Sequence, residues 1–454
     1  MTRLTRTAAP PPVRAVHLGL GAFFRAHQAW YTDRAADGAE WGIAAFTGRR
    51  PDLADVLTAQ GGLYTLVTRE ASGDAFSVVG SLARTCAGGD HEAWLAAVAS
   101  PEVRLLTTTI TEAGYLRGPG GGLDLGDPVV GRDVAALRSD PRAPVVSAPA
   151  RIVAGLLARR AADAGPLTLV PCDNLPENGP VLTAVVRDLV DAVDPGLLDW
   201  LAATVTTATT MVDRITPRPA VADRAAVLAG TGVDDGCPVV TEPFSEWVIS
   251  GAFPGGRPAW ESAGAVLTDD VTPYEQRKLW LLNGGHSLLA YVGSLRGCVT
   301  VDDAVADEYC RTLLEQWWSV CTPHLAVSAT EAEAYCAALL ERFANPRIGY
   351  ALAQIAGDGS QKLPVRLLPV LRAERATGRL PEVAVTVLAA WLLHLRGAGV
   401  PVRDVRADDL RALAEQPLPA AVPAVLDLLG PDLADDAELV PAMRGKCADL
   451  SARG

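Results

Sequence analysis

The sequence predicts an α/β domain with a mostly parallel sheet over residues 1–268 and an all-α domain over residues 269–454. Three observations carry this. Short runs rich in Val, Leu and Thr alternate with helical stretches over some two hundred residues. Beyond residue 270 the pattern lengthens into apolar segments of helical period. A chain of 454 residues, 49% hydrophobic and 20% charged, also has material for more than one core.

The first element is the strand-like run VRAVHLGLG (Val13 to Gly21), which ends in glycines and leads into AFFRAHQAWYTDRAAD, a helix candidate. WGIAAFTG (Trp41 to Gly48) repeats the arrangement, followed by the helical PDLADVLTAQ. Further strands are expected at residues 103–110, 166–174 and 201–213, separated by helices such as HEAWLAAVAS. Strands alternating with helices give a parallel sheet covered on both faces. The stretch RGPGGGLDLGDP at 117–128 reads as an exposed loop. In the second domain, TPYEQRKLWLLNGGHSLLAYVGSL, VADEYCRTLLEQWWSVCTPHL, ATEAEAYCAALLERFA and LPEVAVTVLAAWLLHLRGAG read as helices.

Composition excludes several partners. The net charge of −13 repels phosphate backbones and anionic lipid surfaces, so nucleic acid and membrane are not expected. Eight scattered cysteines without a CxxC pair read as reduced thiols of a cytoplasmic protein, with no metal site. The longest uncharged apolar run, Val383 to Leu395, is 13 residues and suits a buried helix, being too short to span a bilayer. The N-terminal MTRLTRTAAPPPVR lacks the apolar core of a secretory signal. Lysine is scarce, at only positions 278, 362 and 446 among 40 basic residues. Arginine cannot release its proton at working pH, so a retained lysine is a candidate for proton chemistry.

Three motifs carry that chemistry. In His17-Leu18-Gly19-Leu20-Gly21-Ala22-Phe23-Phe24, glycines at a strand end let backbone N–H groups approach a pyrophosphate, although Phe24 replaces the third glycine of the GxGxxG fingerprint. At the second strand end, Arg49 or Arg50 would take a 2′-phosphate and favour NADP, whereas Asp52 would reach the ribose and favour NAD; both stay open. In Pro171-Cys172-Asp173-Asn174 the amide of Asn174 follows a strand, where it can donate to an oxyanion without titrating. Asn178-Gly179 reads more simply as an Asx-type turn into a helix.

Thr272-Pro273-Tyr274-Glu275 resembles a capping box with Thr272 as N-cap. At 100° per residue, Glu275, Lys278, Asn283 and His286 share an arc of about 140° on the helix that follows. Gly284-Gly285 would interrupt that helix and admit a ligand to its backbone. A lysine amine held in a dry pocket beside a nicotinamide cation gives up its proton readily, as a general base for an alcohol requires.

These segments, with LTTTITEAGY, TMVDRITP, TEPFSEWVI, RFANP and DGSQKLPVRLLP, together resemble the mannitol dehydrogenase family of long-chain polyol dehydrogenases. The resemblance covers most of the chain. It implies a Rossmann-type N-terminal domain, a helical C-terminal domain, an active site between them and metal-free hydride transfer with NAD, or NADP as the alternative. It implies Lys278 as base, Asn174 and Asn283 holding the reacting oxygen, His286 orienting the substrate and Glu275 gating proton passage. Gly19, Gly21, Ala22, Phe23, Phe24, Arg49, Asp52, Thr111 and Asp213 are the expected cofactor contacts. Asn174, Asp213, Arg214 and Lys362 are the expected substrate contacts. Lys362 with Arg366 would read a carboxylate, unless both serve helix packing. A monomer acting on D-mannitol and D-fructose is expected, with D-mannonate oxidation and a silent dinucleotide sensor as alternatives.

Overall fold

Strands with helices packed on both faces are apolar throughout, and the N-terminal runs of Val, Leu and Thr obey that rule. The computed structural model describes residues 2–48, 51–118 and 120–452. The chain divides into two compact units, Met1–Thr272 and Pro273–Gly454.

In the first unit, β1 (Val13–Leu18), β2 (Gly42–Phe46), β3 (Leu82–Cys86), β4 (Leu105–Thr108), β5 (Leu167–Pro171) and β6 (Val205–Thr207) form a parallel sheet. Their order is β3-β2-β1-β4-β5-β6. The winding reverses between β1 and β4, which opens a crevice outside their carboxyl ends. Register sets what edges it: Leu18 pairs with Phe46 and with Thr108, and Thr108 pairs with Pro171. The residues that follow β1, β4 and β5 therefore leave the sheet at one level.

Alternation along the strands sorts side chains between two cores. Val16, Leu18, Ala44, Phe46 and Leu106 join helices α2 (Ala148–Ala161) and α3 (Asn178–Val193) on one face. Ala15, Ile43, Ala45, Leu105 and Val170 join Phe24, Ala26, Tyr31 and Trp247 on the other. At the amino ends of the strands the buried Arg159 of α2 donates to six carbonyls, those of Val98, Ser100, Val103, Ala164, Gly165 and Pro166. These carbonyls belong to the chain entering β4 and β5, so one side chain fastens both.

The expected strand at 201–213 is divided. Helix Leu198–Thr204 precedes β6, and after Ala208 the segment Thr209–Asp213 leaves the sheet to pair antiparallel with Glu246–Ser250. Ala208 is pressed from both sides: a Cβ on Gly179 would lie 2.6 Å from its carbonyl oxygen, and one on Gly251 2.9 Å from its Cα. Sequence reading also misses β3 and the hairpin Tyr64–Glu70 and Gly73–Val79, whose polar alternation lacks a continuous apolar run. The loop at 117–128 is tethered, because Asp188 of α3 accepts the Leu123 N–H.

The second unit is helical. A continuous helix over residues 272–293 opens it, followed among others by α5 (Glu308–Cys321), α6 (Ala329–Phe343), α7 (Gly359–Arg366) and α8 (Glu382–Leu395); the 272–293 helix is α4. Every residue of α8 from Val383 to Leu395 is buried, as the apolar run demands. Among the described residues no helix is long and apolar enough to cross a membrane. All eight cysteines are free thiols.

Candidate active site

The glycine loop after β1 is built on a histidine. His17 is fully buried and stacks on Phe24 with ring centroids 3.5 Å apart and planes 6° apart. Thr109 spends its hydroxyl proton on the Gly19 carbonyl, so its oxygen accepts from His17 Nε2–H, while His17 Nδ1 accepts the Thr107 hydroxyl. That tautomer is neutral, and burial pushes the ring down to about 3. Gly19 adopts φ +116°, where a Cβ would stand 2.5 Å from the Thr109 carbonyl oxygen. Gly21 then caps α1 (Ala22–Ala26) with no side-chain cap, which leaves the first-turn N–H groups without a side-chain acceptor. A glycine-tight turn at the switch point with uncapped N–H groups fits a dinucleotide phosphate.

Phe24 departs from its expected place among the phosphate contacts. Its ring is fully buried on His17, so only its backbone can face the crevice. The stack fills the space that a third glycine leaves for close helix–strand packing. Ala22 and Phe23 stay half-buried on the same turn. Asp52 opens the helix Asp52–Ala59 and is exposed at its N-terminus. Arg49 and Arg50 lie outside the described residues. Thr111 is exposed beyond β4.

Around Asn174 the sequence PCDNLPENG folds into a braced corner. Asp173 accepts from the Ile110 N–H, the Thr108 hydroxyl and the Tyr115 hydroxyl, tying the end of β5 to the segment after β4. Burial outweighs these donors and raises its carboxyl to about 6. Asn178, expected to form an Asx-type turn, is the first residue of α3. Its amide donates to the Asp173 and Thr210 carbonyls and accepts the Thr210 N–H. Between these braces Asn174 is exposed at the carboxyl end of β5. Neither Asp173 nor Tyr115 was singled out from sequence; an acid directly before the amide is the one available signal.

Asp213 ends the Thr209–Asp213 strand and is buried. Arg214 takes a structural position in place of the expected substrate contact. Its guanidinium lies 4.5 Å over the Trp30 ring and donates to the Ala26 and Glu242 carbonyls. Burial lowers it to about 10.

The helix begins at Thr272, whose N–H donates to the Asp270 carboxylate two residues earlier. Lys278–Asn283 and Leu289–Gly293 are π-helical, and the chain stays helical through Gly284 and Gly285, contrary to the expected interruption. The Gly284 N–H reaches back five residues to the Leu279 carbonyl, shared with that of Leu281. In an α-helix Lys278 and Asn283 would stand about 140° apart, whereas bonding five residues back sets them one turn apart on one side.

Glu275, one turn before Lys278, is buried, as are Asn283 and His286. The Asn283 Oδ1 is buried with no hydrogen-bond partner among the described residues. His286 stacks on Phe343 at 4.6 Å and meets the Tyr350 ring edge-on at 5.6 Å, which fixes the imidazole plane. Arg277 fastens the helix to α6 by an ion pair with Glu331 at 3.1 Å and by lying over Tyr335. On α7, Lys362 donates to the Ile355 carbonyl, and Arg366 donates to the Asn283 carbonyl and the Ser287 hydroxyl. Arg366 thereby joins the Lys278 helix, a link that spacing alone does not reveal.

Residues 13–262 match the family model described as the mannitol dehydrogenase Rossmann domain, and residues 270–450 the mannitol dehydrogenase C-terminal domain. The chain is 36% identical over 457 residues to the uncharacterized oxidoreductase YeiQ of Escherichia coli, covering 95% of this chain and 90% of that one. It is 35% identical over 460 residues to D-mannonate oxidoreductase of the same organism, covering 97% and 94%. Among solved structures, Pseudomonas fluorescens mannitol 2-dehydrogenase in ternary complex with NAD and D-mannitol is similar, with TM-score 0.85 and 33% identity, covering 100% of this chain and 94% of that one.

Proposed function

The chain belongs to the mannitol dehydrogenase family and is an oxidoreductase; from that premise we propose that it interconverts D-mannitol and D-fructose by metal-independent hydride transfer with NAD, NADP being the alternative carrier. The observation that carries the reading is the π turn, which sets a lysine and an asparagine one above the other on a helix that also bears Glu275 and His286. Support for the cofactor class comes from the sheet order and the glycine turn at its switch point.

Bound NAD supplies the hydride acceptor for oxidation, and its reduced form the donor in the reverse direction. Lys278, as the free amine, takes the proton of the reacting hydroxyl while the C–H bond gives up its electron pair. Asn174 and Asn283 donate to the oxygen as it gains negative charge, a preorganised stabilisation that needs no proton transfer of its own. His286, held by Phe343 and Tyr350, orients the substrate hydroxyl. Glu275 passes the proton from Lys278 toward solvent. Asp213 and Thr111 contribute to the cofactor side, and Asp52 reads the ribose.

A second reading, D-mannonate oxidation to D-fructuronate, is favoured by the identity to D-mannonate oxidoreductase. Initial rates of NADH and NADPH oxidation with D-fructose and with D-fructuronate separate the two. Lys278→Ala serves as the blank and is expected to lose at least ~100-fold in kcat. Turnover of fructuronate alone would replace the polyol reading with the aldonate one. Near-normal turnover by Lys278→Ala would remove the lysine from its role.

A further inference from the structure

The π turn between Lys278 and Asn283 does not stand unaided. In an α-helix the Trp280 carbonyl would accept the Gly284 N–H, but that N–H bypasses it for Leu279 and Leu281. The Trp280 carbonyl instead accepts from the indole Nε1–H of Trp317 at 2.8 Å. The Leu281 carbonyl accepts from the indole of Trp318 at 3.0 Å. Arg366 adds a donor to the Asn283 carbonyl at 3.3 Å. Three carbonyls within one turn thus take side-chain donors from other helices.

Both indoles are buried on α5. The glycine pair is what lets them in: a Cβ on Gly284 would lie 2.7 Å from Trp317 Nε1, and one on Gly285 2.8 Å from Leu314 Cδ1. Gly284-Gly285 therefore serves the approach of α5, and NGG and WW form one device assembled from two separate stretches of sequence.

We propose that Trp317 and Trp318 are positioning residues whose indole N–H groups hold the π turn and thereby keep Lys278 and Asn283 on one face of the helix. Without those donors the segment relaxes toward α-helical bonding, which restores the Gly284-to-Trp280 bond and swings Asn283 away from Lys278. The inference rests on the catalytic reading of Lys278 and extends it to two residues that touch no substrate.

The test compares the wild type with Trp317→Phe/Trp318→Phe, which keeps aromatic bulk and deletes only the donors, and with Lys278→Ala. Steady-state kinetics with NADH and the ketose found active are combined with amide hydrogen exchange of the peptide covering 278–288. The double variant is expected to lose roughly 10- to 100-fold in kcat, the scale of a displacement of about 1 Å at a catalytic group. Its KM for NADH should stay within twofold and its 278–288 amides should exchange faster. A purely packing role lowers stability and speeds exchange but does not lower kcat at an unchanged KM. If the double variant fails to fold, each single variant is read the same way, each expected to lose part of the kcat. A kcat within twofold of wild type overturns the inference; if Lys278→Ala is then inactive, the catalytic reading stands alone. Normal turnover by Lys278→Ala overturns the reading and the inference together.

Discussion

Acid should loosen the first unit through a single imidazole. His17 is fully buried, with Thr109 accepting from Nε2–H, Thr107 donating to Nδ1 and Phe24 stacked on its face, and burial takes it from 6.5 to about 3. Its folded value lies below its unfolded one, so the stability it contributes is complete above pH 6.5 and drains away as pH falls toward 3. At pH 5 the unfolded chain binds this proton almost fully and the folded chain almost not at all, a difference of about 2 kcal/mol. Urea unfolding at pH 7.5 and 5.0 reads it, with His17→Gln as the form that cannot titrate. The loss between the two pH values should be about 2 kcal/mol larger for the wild type. NMR of carbon-13-labelled histidine should show one ring that stays neutral to below pH 4. Since the His17–Phe24 stack underlies the glycine turn and the folded protein keeps His17 neutral until about pH 3, protonation of this ring should leave NADH affinity unchanged between pH 7.5 and 5.0. Equal pH losses in both proteins, or six rings all titrating near 6.5, would refute the reasoning.

Two further perturbations probe the crevice. Gly19→Ala puts a Cβ against the Thr109 carbonyl at a φ that L residues rarely adopt, so the fold should lose about 1–3 kcal/mol and NADH binding, followed by fluorescence titration, should weaken at least tenfold. Tyr115→Phe removes one of three donors from Asp173, whose carboxyl burial already raises to about 6. A raised carboxyl stabilises the fold below its usual range and loses that contribution as pH rises through about 6, so the variant's deficit of about 1.5–3 kcal/mol should be largest above pH 6 in urea unfolding.

The parts legible in sequence were those written in local pattern. β1, β2 and β5 announce themselves as apolar runs ending in glycine or proline, β4 as a run of Leu and Thr, and Val383 to Leu395 as a helix buried on every side. Lys278 stood out because arginine had displaced lysine almost everywhere else. What was illegible depends on partners distant in the chain. A projection at 100° per residue cannot register a π turn that indoles 37 residues away sustain. Phe24 was assigned to the cofactor because its partner, His17, turns inward only once β4 lies beside β1. Arg214 was assigned to the substrate, yet the Ala26 carbonyl that receives it is 188 residues earlier.

Arg159 divides the labour of the sheet. By gathering six carbonyls at the amino ends of β4 and β5, it makes those strands rigid where nothing reacts. Their opposite ends carry Thr111 and Asn174 on exposed backbone that is braced from behind. Sequence can therefore drift at the carboxyl ends without the sheet coming apart. A library seeking new substrates should vary 175–177, keep Asn174 and leave the guanidinium untouched, since Arg159→Lys would surrender most of the six bonds that make such variation survivable.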